Sequence, residues 1–192
     1  YERNGDNLGM IVAVLDTNFW LATHVLAISI GYGCALVTSA MAHYYLVVYS
    51  TKENEENKKL QKGIHLMLLF SLFFTILGTI LGGIWADQSW GRFWGWDPKE
   101  TWAYVSIVVY ALVIHLRFVK SLNTPYVLAT SSLLAFSSIM MTYLGVNFYL
   151  SGMHSYATGD PVPIPMWAYL TVATAFAAII LAYKNRDLKN IE

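Results

Sequence analysis

Charged side chains are scarce in this sequence. Asp, Glu, Lys and Arg make up 12% of its 192 residues, twelve of each sign, for a formal net charge of zero. So little charge excludes an ordinary soluble domain, and the balance argues against a nucleic-acid partner, since no basic face survives once the lysines and arginines are assigned to membrane sides. Cysteine is almost absent. Cys34, the single one, excludes an internal disulfide and a thiolate metal cluster and reads as a buried, inert thiol. Proline is also rare, and three of the five lie in one stretch, SGMHSYATGDPVPIP, which with its two glycines reads as a loop. What remains is apolar: 56% of the residues are hydrophobic, and mean hydropathy is +0.46.

A membrane span needs about 20 mostly apolar residues. Five windows qualify, at 19–49, 64–86, 101–118, 126–147 and 166–183, and they predict an all-α, polytopic membrane helix bundle formed as one domain over residues 1–192. The first window is over-long, so one of its ends projects or lies among the lipid headgroups. Basic residues accumulate on the cytoplasmic side. Nine of the twelve fall on one side of this arrangement: Lys52, Lys58, Lys59, Lys62, Arg117, Lys120, Lys184, Arg186 and Lys189. The N-terminus is then outside and the C-terminus inside, with two external segments, 85–102 and 147–165. Tyr1 is not an initiator and no signal peptide precedes it, which reads as a piece of a longer membrane chain.

Local signals agree with the windows. Asp16, Thr17 and Asn18 are candidate caps for the first helix, and KENEENKKLQK reads as a charged, solvated inner connection. Asp97, Pro98 and Glu100 form a capping-box pattern that starts the third span. Gly78, Gly82 and Gly83 allow close helix approach in the second.

Five of the seven tryptophans lie between Trp85 and Trp102, and all seven map to the external side. Interfacial belts normally decorate both faces of a membrane protein, so this one-sidedness has a second cause. Trp20 and Trp167 read as anchors. Trp90, Trp94, Trp96 and Trp102, interleaved with Gly91 and Gly95, read as a platform for a planar ligand. His24 and His154 flank that platform from different parts of the chain, whereas His43, His65 and His115 lie toward the inner leaflet; His43 and His65 read as interface packing. A flat aromatic bed with one imidazole on each side is what six-coordinate haem requires, since the porphyrin supplies four in-plane nitrogens and leaves two axial positions. Arg92 and Lys99 are the external cations near the platform, available to haem propionates or, for Arg92, to lipid headgroups.

These residues carry a family resemblance. WGRFWGWDPKETW, with LDTNFWLATH before it and GVNFYLSGMHSYA after it, resembles the tryptophan-rich WWD segment of the CcsA (ResC) type of System II cytochrome c synthase, over Leu15 to Ala157. The resemblance implies the C-terminal core of a longer CcsA or CcsBA-like chain in a bacterial inner or thylakoid membrane, with its WWD segment on the outer side. It implies haem b held by His24 and His154 as axial and catalytic ligands, with Trp90, Trp94, Trp96, Asp97, Trp102, Arg92 and Lys99 around it. It also implies a haem lyase that attaches haem to the CxxCH motif of apocytochrome c, the substrate histidine replacing one external ligand, beside a ResB/CcsB-like partner, fused or separate. His115 matches a histidine implicated in bringing haem across the bilayer. Trp102 and His115 are 13 residues apart, or about 20 Å along one helix at ~1.5 Å per residue, so one haem cannot touch both. The implication is two stations.

Three other readings predict different behaviour. A CcmC-like haem chaperone would hold haem without forming thioethers. A bis-histidine electron-transfer cytochrome would pair its ligands within the spans, and an anchoring role alone would leave the protein without haem.

Overall fold

The computed structural model describes residues 19–48, 55–150, 152–154 and 163–189, with side chains through Lys184. Among these residues every regular element is helical. Helix α1 spans Phe19–Val48, α2 Glu55–Trp90 and α3 Pro98–His115, the last extended by a 3-10 turn at Leu116–Phe118. Helix α4, Pro125–Met140, runs through a π turn at Met141–Gly145 into the short α5, Val146–Tyr149; α6 is Met166–Lys189. Five of these segments are long and apolar enough to cross a membrane, counting Pro125–Tyr149 as one. The candidate caps Asp16, Thr17 and Asn18 lie outside the described residues.

The spans match the apolar windows and extend beyond several of them, and two of the extensions change the reading. Helix α2 begins at Glu55, so the charged stretch read as a connection is largely helix. Glu55 and Glu56 in its first turn favour the positive end of the helix dipole, and Lys58 pairs with Glu55 at 3.0 Å. Its charged side chains stay exposed, which lets the helix project beyond the hydrocarbon layer. At the other end, α5 carries helix to Tyr149, so Asn147–Tyr149 is not loop as expected.

Lipid-facing and bundle-facing sides differ in side-chain size more than in polarity. Leu26, Leu36, Phe73, Ile80, Leu112 and Leu181 are exposed, whereas much of the buried seam is small: Ala35, Ala42, Ala129, Ala135, Ala178 and Ala182. Where hydrocarbon surrounds the protein, burying apolar area gains little, and close packing with interhelical hydrogen bonds takes its place. Helices α1 and α2 pack along much of their length. A Cβ on Gly78 would lie 2.8 Å from Ile28 N, and Ser71 Oγ donates to Gly31 O at 3.0 Å. Cys34 is half-buried, not fully buried as expected. In the π turn, Thr142 Oγ1 bonds the Trp102 carbonyl at 3.0 Å and meets Ser106 Oγ at 3.0 Å, fixing the fourth span against the top of α3.

Candidate functional site

Consecutive spans alternate in direction, so the start of α1, the end of α2, the start of α3 and the end of the fourth span meet at one end of the bundle. The tryptophan segment lies there. Leaving α2, the chain turns through two left-handed residues, Gly91 at φ +70° and Trp96 at φ +57°. For tryptophan that conformation is strained and needs support from its surroundings. Glu100 supplies much of it. One carboxylate oxygen accepts from Gly95 N at 2.7 Å and Asp97 N at 3.2 Å, while the other pairs with Arg92 at 3.2 Å. Glu100 thus completes the capping box of α3 and also braces the loop before it.

Asp97 joins the start of α3 to the chain at Met153 and His154. Its carboxylate caps α3 by accepting from Lys99 N at 3.2 Å, takes the Met153 N–H at 2.6 Å, and accepts from His154 Nδ1 at 2.9 Å. Burial pushes its carboxyl upward from the ordinary value, but the His154 bond and the two backbone N–H groups outweigh it and hold the group below that value. Gly152 is required for this approach, since a Cβ there would lie 2.5 Å from Asp97 Oδ1. With Nδ1 donating to Asp97, neutral His154 keeps its lone pair on Nε2.

His24 is oriented in a parallel way by α2. Its Nδ1 donates to the Gly78 carbonyl at 2.6 Å, and its ring rests on Gly82, where a Cβ would fall 2.7 Å from Nδ1 and Cε1. The lone pair is again on Nε2. His24 and His154 line one cavity of about 370 Å³, within the range of roughly 300–1,000 Å³ common for small-molecule sites. Leu21, His24, Val25, Ile28, Ser29 and Tyr32 contribute one face of α1, and Trp85, Phe93, Trp94, Lys99, Glu100 and Tyr143 contribute from the other elements. Behind the wall Trp85 meets Trp90 edge-on at 4.8 Å, and Trp90 meets His154 at 5.0 Å.

The other sequence-derived candidates take different places. Trp94 and Lys99 line the cavity, whereas Trp90, Trp96, Trp102, Asp97 and Arg92 are not wall residues; Trp90 and Asp97 touch His154. Trp96 is 68% exposed and packs edge-on against Trp94 at 5.8 Å. Arg92 is held by Glu100 and contacts Met153 Sδ. His115 sits at the opposite end of α3, exposed, with Nδ1 donating to Ala111 O at 2.7 Å. His65 accepts from Arg117 at 2.8 Å, a bond between α2 and the 3-10 turn that sequence reasoning did not identify. Tyr32, Phe93 and Tyr143 were also missed as wall residues. Tyr32 was recoverable from its spacing, two turns beyond His24 on one helix face. Tyr143 depends on the π turn, for which the sequence carries no comparable signal.

The cytochrome c assembly protein family matches this chain over residues 9–154. The protein NrfI of Wolinella succinogenes is 45% identical over 187 residues, covering 94% of this chain and 20% of NrfI. The cytochrome c biogenesis protein CcsA of Guillardia theta is 32% identical over 173 residues, and that of Chlamydomonas reinhardtii 30% over 154; both alignments cover 76% of this chain, with 56% and 42% of the respective relatives. The chain spans between a fifth and somewhat over half the length of these three relatives. It is an integral membrane protein, with five candidate spans among the described residues, and it belongs to the cytochrome c assembly protein family, as a CcsA-type cytochrome c biogenesis protein.

Proposed function

We propose that this chain is the core of a System II cytochrome c synthase that presents haem b at the outer face of the membrane for covalent attachment to apocytochrome c. The observation that carries the reading is the shared cavity of His24 and His154, each with Nδ1 engaged and Nε2 left for iron. The aromatic wall suits a porphyrin, and two protein imidazoles suit its two axial positions. Haem is substrate here as well as ligand.

The reaction needs orientation more than a protein nucleophile. Each cysteine thiol of the CxxCH motif adds across one haem vinyl group: sulfur bonds to one vinyl carbon, the thiol hydrogen goes to the other, and nothing is oxidised or lost. Holding both partners in place converts an encounter into an effectively unimolecular step. The substrate histidine takes over one axial position, so product leaves with one ligand of its own. His115, at the inner end of α3, serves an earlier station on the inner side. The whole protein works with a ResB/CcsB-like partner, fused or separate, in a bacterial inner or thylakoid membrane, with segment 85–102 outside.

The test is an absorption spectrum of full-length protein purified from membranes, followed by incubation with a CxxCH peptide. The expected result is a low-spin six-coordinate spectrum and a peptide-haem product that survives acid extraction. Bound haem without thioether would favour a CcmC-like chaperone, and absence of haem would leave the tryptophans as anchors.

A further inference from the structure

The cavity contains an ammonium group that makes no salt bridge among the described residues. Lys99 lies on the wall with His24 and His154, and its Nζ donates to Asn147 Oδ1 at 3.1 Å. The neighbouring acids are committed elsewhere. Asp97 takes His154, Met153 N and Lys99 N, and Glu100, although on the wall, takes Arg92, Gly95 N and Asp97 N. The other external cation near the site, Arg92, already has its carboxylate.

An ammonium facing an apolar wall gains most from an anion. Leu21, Val25, Ile28, Ala86 and Ala103 make up much of the remaining lining.

We propose that Lys99 forms the subsite that receives a carboxylate of the bound planar ligand. Asn147 holds the ammonium until the ligand arrives, and Arg92 is a brace for the loop. The proposal rests on the cavity being the haem site, and it names a haem propionate as the group received. An ammonium–carboxylate hydrogen bond is roughly twice as strong as a neutral one, so esterifying the carboxylates removes the gain while leaving iron and ring unchanged.

The experiment compares haem with haem dimethyl ester, titrated into full-length protein stripped of haem and followed by absorption. Wild type is expected to bind haem about tenfold or more tightly than the ester, the worth of one charge-assisted bond. Lys99→Met brings that ratio close to one while binding the ester as wild type does, which shows that the fold and axial ligands are intact. Lys99→Arg keeps the preference, and Arg92→Gln leaves it. A ratio unchanged in Lys99→Met, or abolished by Arg92→Gln alone, overturns the subsite while leaving the haem reading standing. Failure of wild type to bind either porphyrin overturns both.

Discussion

Asp97 offers the sharpest perturbation, because one buried carboxylate joins the start of α3 to the loop carrying His154. Its side chain is 5% exposed and accepts from Lys99 N, Met153 N and His154 Nδ1. Asp97→Ala removes the helix cap, typically worth ~1 kcal/mol, and strands two donors at roughly 1–3 kcal/mol each, so this end of the bundle should lose about 3–7 kcal/mol. Asp97→Asn leaves one oxygen: in place of Oδ2 it keeps the cap and a neutral bond to His154 but turns its NH2 on the Met153 N–H, a loss of about 2–4 kcal/mol. The two variants should therefore separate. Thermal unfolding of detergent-solubilised protein reports the first difference, and haem retention through purification reports the second, with alanine low and asparagine intermediate. If both variants melt together and retain haem as wild type does, the carboxylate does not hold His154 in place.

Other outcomes follow from the same geometry. Gly82→Ala should lower haem occupancy without blocking membrane insertion, because its Cβ would meet the His24 ring at 2.7 Å; Gly33→Ala, which meets nothing within 4 Å, should be silent. Quantifying haem in the two purified variants checks this, and equal occupancy would count against the His24 seat. Asp97 has a folded pKa below its ordinary value of 3.8, so its stabilisation is complete above that value and is lost as pH falls below it through the depressed folded value. Wild type should lose more stability than Asp97→Asn over that acid interval, read by tryptophan fluorescence on melting; parallel pH profiles would refute it. His115→Ala should deplete haem throughout the protein when supply comes from the cytoplasm, yet permit filling of the outer site by added haem. Normal filling from the cytoplasmic supply would make His115 a structural residue.

The spans were readable because membrane crossing imposes a length and a composition, and those five windows have both. The capping box was readable too, since Asp97, Pro98 and Glu100 are neighbours whose spacing alone sets the geometry. His24 and His154 were visible as candidates from their place in the expected topology. Their shared cavity required the packing of α1 on α2, which hangs on which small residue meets which ring, as Gly82 does with His24. Contacts between distant segments left no local trace. The tie from Asp97 to Met153 and His154, and that from Arg117 to His65, join residues more than 50 positions apart. The π turn that places Tyr143 on the wall arises from how the fourth span settles against α3, not from any residue in MTYLG that demands it.

The central claim is that His24 and His154 hold one haem between them. The most direct measurement is the oxidised and reduced absorption spectrum of the full-length protein as wild type, His24→Ala, His154→Ala and the double variant, each purified with and without imidazole. The account predicts a six-coordinate low-spin spectrum for wild type, reduced haem content in each single variant, and recovery with imidazole, which fills the vacated axial position. Unchanged spectra and haem content in both single variants would contradict it.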